Sequence, residues 1–312
     1  MDSEPTGKGI LLKAEPIAAT FIDEVRNTTA KCAQPPRLVG ILATSSAPSK
    51  SYADFTRKQC EELGIEFVLK KTGAALSGEL AEGEGVEEAI IEANGDDAVD
   101  GIMVYYPIFG GQQDHYLQQI VSPFKDVEGL HFKFHYNLYH KYERLSLSPP
   151  PGMVKSIIPC TPLAIVKCLE YISVYNRLLP YGDRAYGRTV TVINRSEVVG
   201  RPLAALLAND GARVLSVDID SIQVCISTSI YYPRHVVHPS TLTLQECLAI
   251  SDVVISAVPN PAYKVKTEWL KDGCICINVA GDKNFEKDIR EKASMYIPAV
   301  GKVTILMLLR NL

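Results

Sequence analysis

Apolar positions along the chain fall into short runs of two kinds, and the alternation of those kinds predicts the architecture. Ile17 to Cys32 has apolar residues at helical spacing, and Arg37 to Ala43 is an apolar run of strand length that stops in the polar loop Thr44 to Lys50. A helix is expected from about Tyr52 to Leu63, closed by Gly64, then a strand Ile65 to Leu69. A helix Val86 to Asn94 and a strand Gly101 to Tyr106, closed by Pro107, follow. Leu69 to Gly85 reads as a mobile loop, and Glu143 to Gly152, with Pro149-Pro150-Pro151, as a linker. Next comes a helix Leu163 to Tyr171, with Thr161 as its N-cap and Pro162 in its first turn. Strands are expected at Thr189 to Ile193, Arg213 to Val217, Asp252 to Val258 and Cys274 to Val279, and helices at Leu203 to Leu207 and Leu244 to Ile250. Ile222 to Pro239 reads poorly: Ile226 to Tyr232 has strand propensity without the expected turn chemistry, as in an insertion or a gene-model artefact.

Strands alternating with helices imply an α/β protein with parallel sheets covered on both faces. We expect two domains, 1–159 and 160–297, with a cleft between them. Ligands on such sheets bind beyond the carboxyl ends of strands, which singles out Thr44 to Tyr52 and Tyr105 to Gly110.

Thr189 to Asp218 is the most informative stretch. A β-branched strand, the turn Asn194-Arg195-Ser196-Glu197-Val198-Val199-Gly200-Arg201-Pro202, a helix and a second strand ending on Asp218 form a Rossmann-type βαβ unit. Backbone N–H groups at such a helix start face a pyrophosphate, and an acid after the second strand accepts hydrogen bonds from the free adenosine ribose while repelling a 2′-phosphate. Asp218, with Asp220 near it, thus favours NAD over NADP. Only Gly200 of a glycine-rich fingerprint is present, so an ordinary βαβ unit with Asp218 as a cap is the competing reading. The expected cofactor-binding residues are Asn194, Arg195, Ser196, Val199, Gly200 and Asp218, with Ala257 and Val258 at the end of the next strand. Arg195 reads either as a phosphate contact or as an exposed turn arginine.

Composition narrows the class. With 312 residues, 46% of them hydrophobic and 22% charged, the chain has the make-up of a globular protein able to build two cores. A net charge of -4 gives no electrostatic reason for nucleic acid or an anionic membrane as partner. No apolar run is long enough to span a bilayer, and the acidic start Met1 to Pro5 has no secretory or transit character. The eight cysteines include no C-x-x-C pair and read as reduced thiols, so a cytoplasmic location is expected. His131, His135 and His140 lack a supporting acid pattern and read as ordinary core or solvated histidines, with no metal.

Five segments in order, Gly101 to Pro107, Lys125-Asp126-Val127-Glu128-Gly129-Leu130, Ile158 to Pro162, Arg195 to Pro202 and Gly301-Lys302-Val303-Thr304, resemble the methylenetetrahydrofolate dehydrogenases, above all the monofunctional NAD-dependent cytosolic branch of yeasts. The resemblance spans nearly the whole chain. It implies a first domain that binds folate and carries catalysis, with 298–312 packing back on it, and a homodimer joined through the second domain. It implies that Asp126 accepts hydrogen bonds from the pterin and that Tyr52 packs along the folate; a turn former and a core aromatic are the alternatives for these two. Tyr105 stands where bifunctional relatives have a glutamine in the substrate cleft, and Thr56 where they have a lysine implicated in hydrolysing the methenyl product. A threonine supplies neither an ammonium nor a useful base, so cyclohydrolase activity is expected to be lost or weak. Lys58 is two positions further on and points elsewhere. The loop Pro298 to Thr304 is shorter than the family's glycine- and proline-rich form, and the chain stops at Leu312, before the family's last helix usually does.

The expected reaction removes hydride from a methylene bridge between two nitrogens and needs no general base, only positioning and exclusion of water. Tyr52, Asp126 and Cys160 are the expected catalytic-site residues, Cys160 shaping the floor between ligands rather than acting as a nucleophile. Two other functions fit the same residues: a bifunctional dehydrogenase/cyclohydrolase and a catalytically silent NAD-binding scaffold.

Overall fold

A computed structural model describes residues 7–140, 156–227 and 235–312. The expectations for Met1 to Pro5, for the linker Glu143 to Gly152 and for much of Ile226 to Tyr232 lie outside the described residues. In chain order the structure forms β1 (Ile10–Leu11), α1 (Glu15–Thr29), β2 (Arg37–Leu42), α2 (Ala47–Glu62), β3 (Glu66–Lys71), α3 (Gly73–Leu76), α4 (Val86–Gly95), β4 (Gly101–Val104), α5 (Gln112–Ile120) and α6 (Phe132–Tyr139). It continues with α7 (Cys160–Tyr171), β5 (Thr189–Ile193), α8 (Gly200–Asn209), β6 (Arg213–Val217), β7 (Ile222–Ser227), β8 (His235–Ser240), α9 (Leu244–Ile250), β9 (Val253–Ser256), β10 (Ile275–Asn278), β11 (Met295–Ile297) and α10 (Gly301–Asn311). Among the described residues no helix is long and apolar enough to cross a membrane.

One compact unit comprises 18–135, 157–160 and 305–312, around a three-stranded sheet of order β3-β2-β4. Both pairings are parallel. The central strand β2 is buried on both faces, as its continuous apolar run requires, and Val39 and Ile41 pack with Ala89, Ile90 and Ala93 of α4. α2 starts earlier than its first aromatic residue because Pro48 fits the first helical turn. Beyond β4, Ile102 donates its N–H to Lys125 O at 2.7 Å, which carries the sheet edge onto the segment holding Asp126 and Glu128. The Lys125 ammonium closes the end of α4, donating to Ala93 O, Asn94 O and Asp96 O at 3.1, 2.9 and 2.7 Å, where a cation also meets the negative end of the helix dipole.

The other unit holds the described residues within 1–17, 136–156 and 161–304 and an eight-stranded sheet of order β1-β11-β10-β9-β5-β6-β7-β8. β1 adds to the edge of this sheet, Ile10 opposite Met295 and Leu11 opposite Tyr296. The strands from β1 to β6 pair in parallel, while β7 and β8 add an antiparallel hairpin. The poorly legible Ile222 to Pro239 thus holds two ladder strands, with Val214 opposite Cys225 and Val224 opposite His238. Helix α8 is buried along almost its whole length, which explains its small and aliphatic sequence Leu203-Ala204-Ala205-Leu206-Leu207.

Candidate functional site

In the eight-stranded unit, β5, β6 and β9 end on one cavity of about 780 Å³, lined by Asn194, Asp218, Ile219, Asp220, Ser221, Leu242, Val258, Asn260 and Tyr263 among others. The turn after β5 is shaped by close backbone packing. Asn194 takes a positive φ of 82°, and its side-chain Nδ2 donates to Ala257 O at 2.7 Å, fastening the ends of β5 and β9 together. A Cβ on Gly200 would lie 1.8 Å from Asn194 O, so only glycine lets helix α8 begin so near the strand. Ser196 Oγ accepts the N–H groups of Val199 and Gly200 at 3.3 and 3.5 Å and organises the helix entry. Asp218 is half-buried at the end of β6; its Oδ1 accepts the Ile219 N–H at 2.9 Å, and its own N–H donates to Ser221 O at 2.9 Å. Of the expected cofactor residues, Asn194, Asp218 and Val258 line the cavity, Ala257 is tied to Asn194, and Ser196, Val199 and Gly200 build the helix start.

Arg195 does something the sequence did not reveal. Its guanidinium makes four hydrogen bonds to Ser216 and Ser221. Asn284 is a second unforeseen residue: fully buried, it accepts from Ser256 Oγ and the Val258 N–H at 2.9 Å each and donates to Val258 O at 2.9 Å, fixing the loop after β9.

In the three-stranded unit, helix α2, the end of β4 and the segment after Lys125 bring Tyr52, Tyr105, Tyr106 and Glu128 together. The rings of Tyr52 and Tyr105 meet edge to face, with centroids 6.1 Å apart. Burial pushes up the phenol pKa of Tyr52, Tyr105 and Tyr106, with the nearby Glu128 carboxyl adding to each. Thr56 is fully buried and donates to Tyr52 O at 2.9 Å, one helical turn back. The loop after Pro107 is held by Asp114, whose carboxylate accepts the N–H groups of Ile108, Phe109 and Gly110 at 3.1, 3.0 and 3.0 Å. Nothing in the local sequence distinguishes Asp114 from a surface acid until α5 is known to begin at Gln112.

The two acids of Lys125-Asp126-Val127-Glu128-Gly129 have different work. Asp126 Oδ1 accepts the N–H groups of Glu128 and Gly129 at 2.9 and 2.8 Å, and Oδ2 accepts that of His131 at 2.8 Å. Burial still holds its pKa above the ordinary value, but its acceptor sites serve its own turn. Gly129, at φ 76°, lets that turn lie against Pro159; a Cβ there would come within 2.9 Å of Pro159 Cα. Glu128 retains some surface, yet its carboxyl is stripped of enough water that its pKa is pushed up to about 8. One oxygen, Oε2, accepts the Val104 N–H at 2.9 Å. Cys160 is buried at the start of α7, its N–H donating to Glu128 O at 3.0 Å, so it packs behind Glu128. His131 Nδ1 accepts the Lys133 N–H at 3.2 Å, and the His140 ring lies on Tyr136 with centroids 4.1 Å apart.

The sequence matches two family models: tetrahydrofolate dehydrogenase/cyclohydrolase, catalytic domain, over residues 12–128, and the NAD(P)-binding domain of the same family over residues 159–230. It is 48% identical over 314 residues to the methylenetetrahydrofolate dehydrogenase (NAD(+)) of Saccharomyces cerevisiae, covering 97% of this chain and 95% of the relative. It is 45% identical over 313 residues to the protein of that name in Schizosaccharomyces pombe, covering 99% and 94%. The solved structure of the NAD-dependent 5,10-methylenetetrahydrofolate dehydrogenase from Saccharomyces cerevisiae superimposes with a TM-score of 0.90 at 47% identity, covering 97% of this chain and 96% of that one.

Proposed function

The chain belongs to the tetrahydrofolate dehydrogenase/cyclohydrolase family, and we propose that it oxidises 5,10-methylenetetrahydrofolate to 5,10-methenyltetrahydrofolate with NAD. The observation that carries the cofactor choice is Asp218, placed at the carboxyl end of β6 on the cavity wall, where a carboxylate accepts from a ribose diol and repels a phosphate. The residues present fit the group: the cavity is large enough for a nucleotide, and Gly200, where a Cβ would strike Asn194 O, lets the α8 N-terminus and its N–H groups start close to the end of β5, as a pyrophosphate site requires. Bound NAD supplies the hydride acceptor.

On the folate side, Glu128 takes the role that the sequence assigned to Asp126. Asp126 is engaged by three amides of its own turn, whereas the Glu128 carboxyl has an oxygen beyond its bond to Val104 and sits among Tyr52, Tyr105 and Tyr106. A carboxylate there accepts from the adjacent amino and ring N–H groups of a pterin, while the Tyr52 face packs along the ring system. Loss of hydride leaves a cation shared by two nitrogens, so these residues position the donor carbon and exclude water; no proton is transferred. Hydrolysis of the product should not exceed the buffer rate, because Thr56, buried and bonded to Tyr52 O, offers neither cation nor base. A cytoplasmic homodimer joined through the eight-stranded unit, with no nucleic acid or membrane partner, completes the reading; a monomer mass in sedimentation would count against the dimer.

The test is NADH formation from methylenetetrahydrofolate, measured with NAD and with NADP, beside an Asp218→Ser variant. Wild type should use NAD and the variant should lose much of that preference. NADP turnover by wild type, or an unchanged preference in the variant, would overturn the role of Asp218.

A further inference from the structure

A cation stands close to the place where an additional phosphate would arrive, and it is already occupied. Arg195 follows Asn194 in the turn between β5 and α8, yet it is Ser221, not Arg195, that lines the cavity. Arg195 Nε donates to Ser216 Oγ at 3.0 Å and Nη2 to Ser216 O at 2.6 Å. Nη1 donates to Ser221 Oγ at 2.9 Å, and Nη2 also to Ser221 O at 3.0 Å. Four of the five N–H groups of a guanidinium are thereby committed. Ser216 is buried in β6 and Ser221 immediately precedes β7, so the arginine joins the two ends of the loop that carries Asp218 and Asp220.

In dinucleotide sites an arginine near the ribose acid is what receives a 2′-phosphate, and its planar fork suits phosphate oxygens better than any other side chain. Here that fork is turned onto two serines. We propose that Ser221 is a cofactor-specificity residue: its hydroxyl holds one arm of Arg195, Nη1, against the loop after β6, so the N–H that would receive a 2′-phosphate is withheld while Asp218 repels it. Exclusion of NADP then has two parts, a repelling carboxylate and a sequestered cation. This rests on the NAD-dependent reading above and extends it from Asp218 to a residue with no charge.

A freed Nη1 would pair with Asp218, so the test is made in the Asp218→Ser background. Ser221 is exposed, and its replacement leaves the core untouched. NADPH and NADH binding are followed by cofactor fluorescence in D218S/S221A and in D218S/S221T, which keeps the hydroxyl. The alanine double variant should bind NADPH roughly tenfold more tightly than the threonine one, as expected for one added charge-assisted hydrogen bond to the phosphate, with NADH affinity nearly equal in the two. Adding R195Q should erase that difference. Equal NADPH affinity in the alanine and threonine variants, or a tighter binding that survives R195Q, would overturn the proposal. Binding is read without turnover, so the outcome is separate from whether wild type forms NADH from methylenetetrahydrofolate, which tests the underlying activity.

Discussion

Glu128 holds a proton at neutral pH for a physical reason that has consequences for both stability and binding. Its carboxyl is pushed from an ordinary 4.5 to about 8, chiefly by burial, with Asp126 adding repulsion and the Val104 N–H opposing. The folded-state value lies above the unfolded one, so ionisation disfavours the fold; the cost is absent below about 4.5, grows as pH rises and is complete above about 8. A Glu128→Gln variant lacks that titration. Its melting temperature relative to wild type should therefore climb between those two pH values, and a flat difference would remove the raised pKa from the account. Substrate binding should run the other way. A pterin offering two N–H donors selects the ionised form, so the wild-type KM for methylenetetrahydrofolate should fall as pH rises toward 8 while the KM for NAD stays level. E128Q should lose this dependence and bind the folate more weakly at pH 8, where the wild-type carboxyl ionises.

Among the elements, the β5–α8 turn is the place where a single atom decides the outcome. Replacing Gly200 by alanine sets a Cβ against the Asn194 carbonyl, a backbone atom fixed by the ladder and by the bond from Asn194 to Ala257. The helix start must move, and an overpacked site of this kind costs about 3 kcal/mol. Urea unfolding should show the loss, and NADH binding should weaken with it; a variant of wild-type stability and affinity would contradict the close approach. This turn was legible in sequence because its information is local: a β-branched strand, the turn glycine Gly200, one proline and a terminal acid lie within thirty residues. The β7–β8 hairpin was not. Its strands are only partly buried and hold no regular alternation, and their place is set by the exposed edge of β6 rather than by their own pattern. Helices α5 and α6, with few buried side chains to mark a period, escaped for the same reason. The motif around Asp126 was found, but two acids two residues apart look alike in sequence. Only the turn imposed by Gly129 tells which of them turns back on its own amides.

At the scale of the whole chain, the Glu128 carboxyl is held by segments that are distant in sequence. Val104 N–H meets the Glu128 side chain, Cys160 N–H meets the Glu128 carbonyl, and Asn311 Nδ2, from the last turn of α10, donates to Val127 O at 2.9 Å and to Ile158 O at 3.4 Å. Leu312 sits beside Gly101, where a Cβ would come within 2.6 Å of its methyl group. The final residues of the chain therefore brace the strand before Glu128 and the segment after Ile158 at once, a long-range tie that no local spacing announces. Asn311→Ala removes both donors and leaves two carbonyls to be rehydrated or unpaired, worth about 1 kcal/mol. If all of it falls on the placement of Glu128, the KM for methylenetetrahydrofolate should rise roughly fivefold, since about 1.4 kcal/mol corresponds to tenfold. The cavity beside Asp218, where NAD is proposed to bind, is lined by residues 193–263, so the KM for NAD and NADH affinity should not change. Steady-state kinetics with each substrate varied in turn separates the cases. A rise in the folate KM alone ties the end of α10 to substrate placement, while equal changes in both, or a loss of kcat with neither KM moved, would show that Asn311 supports the fold without acting through Glu128.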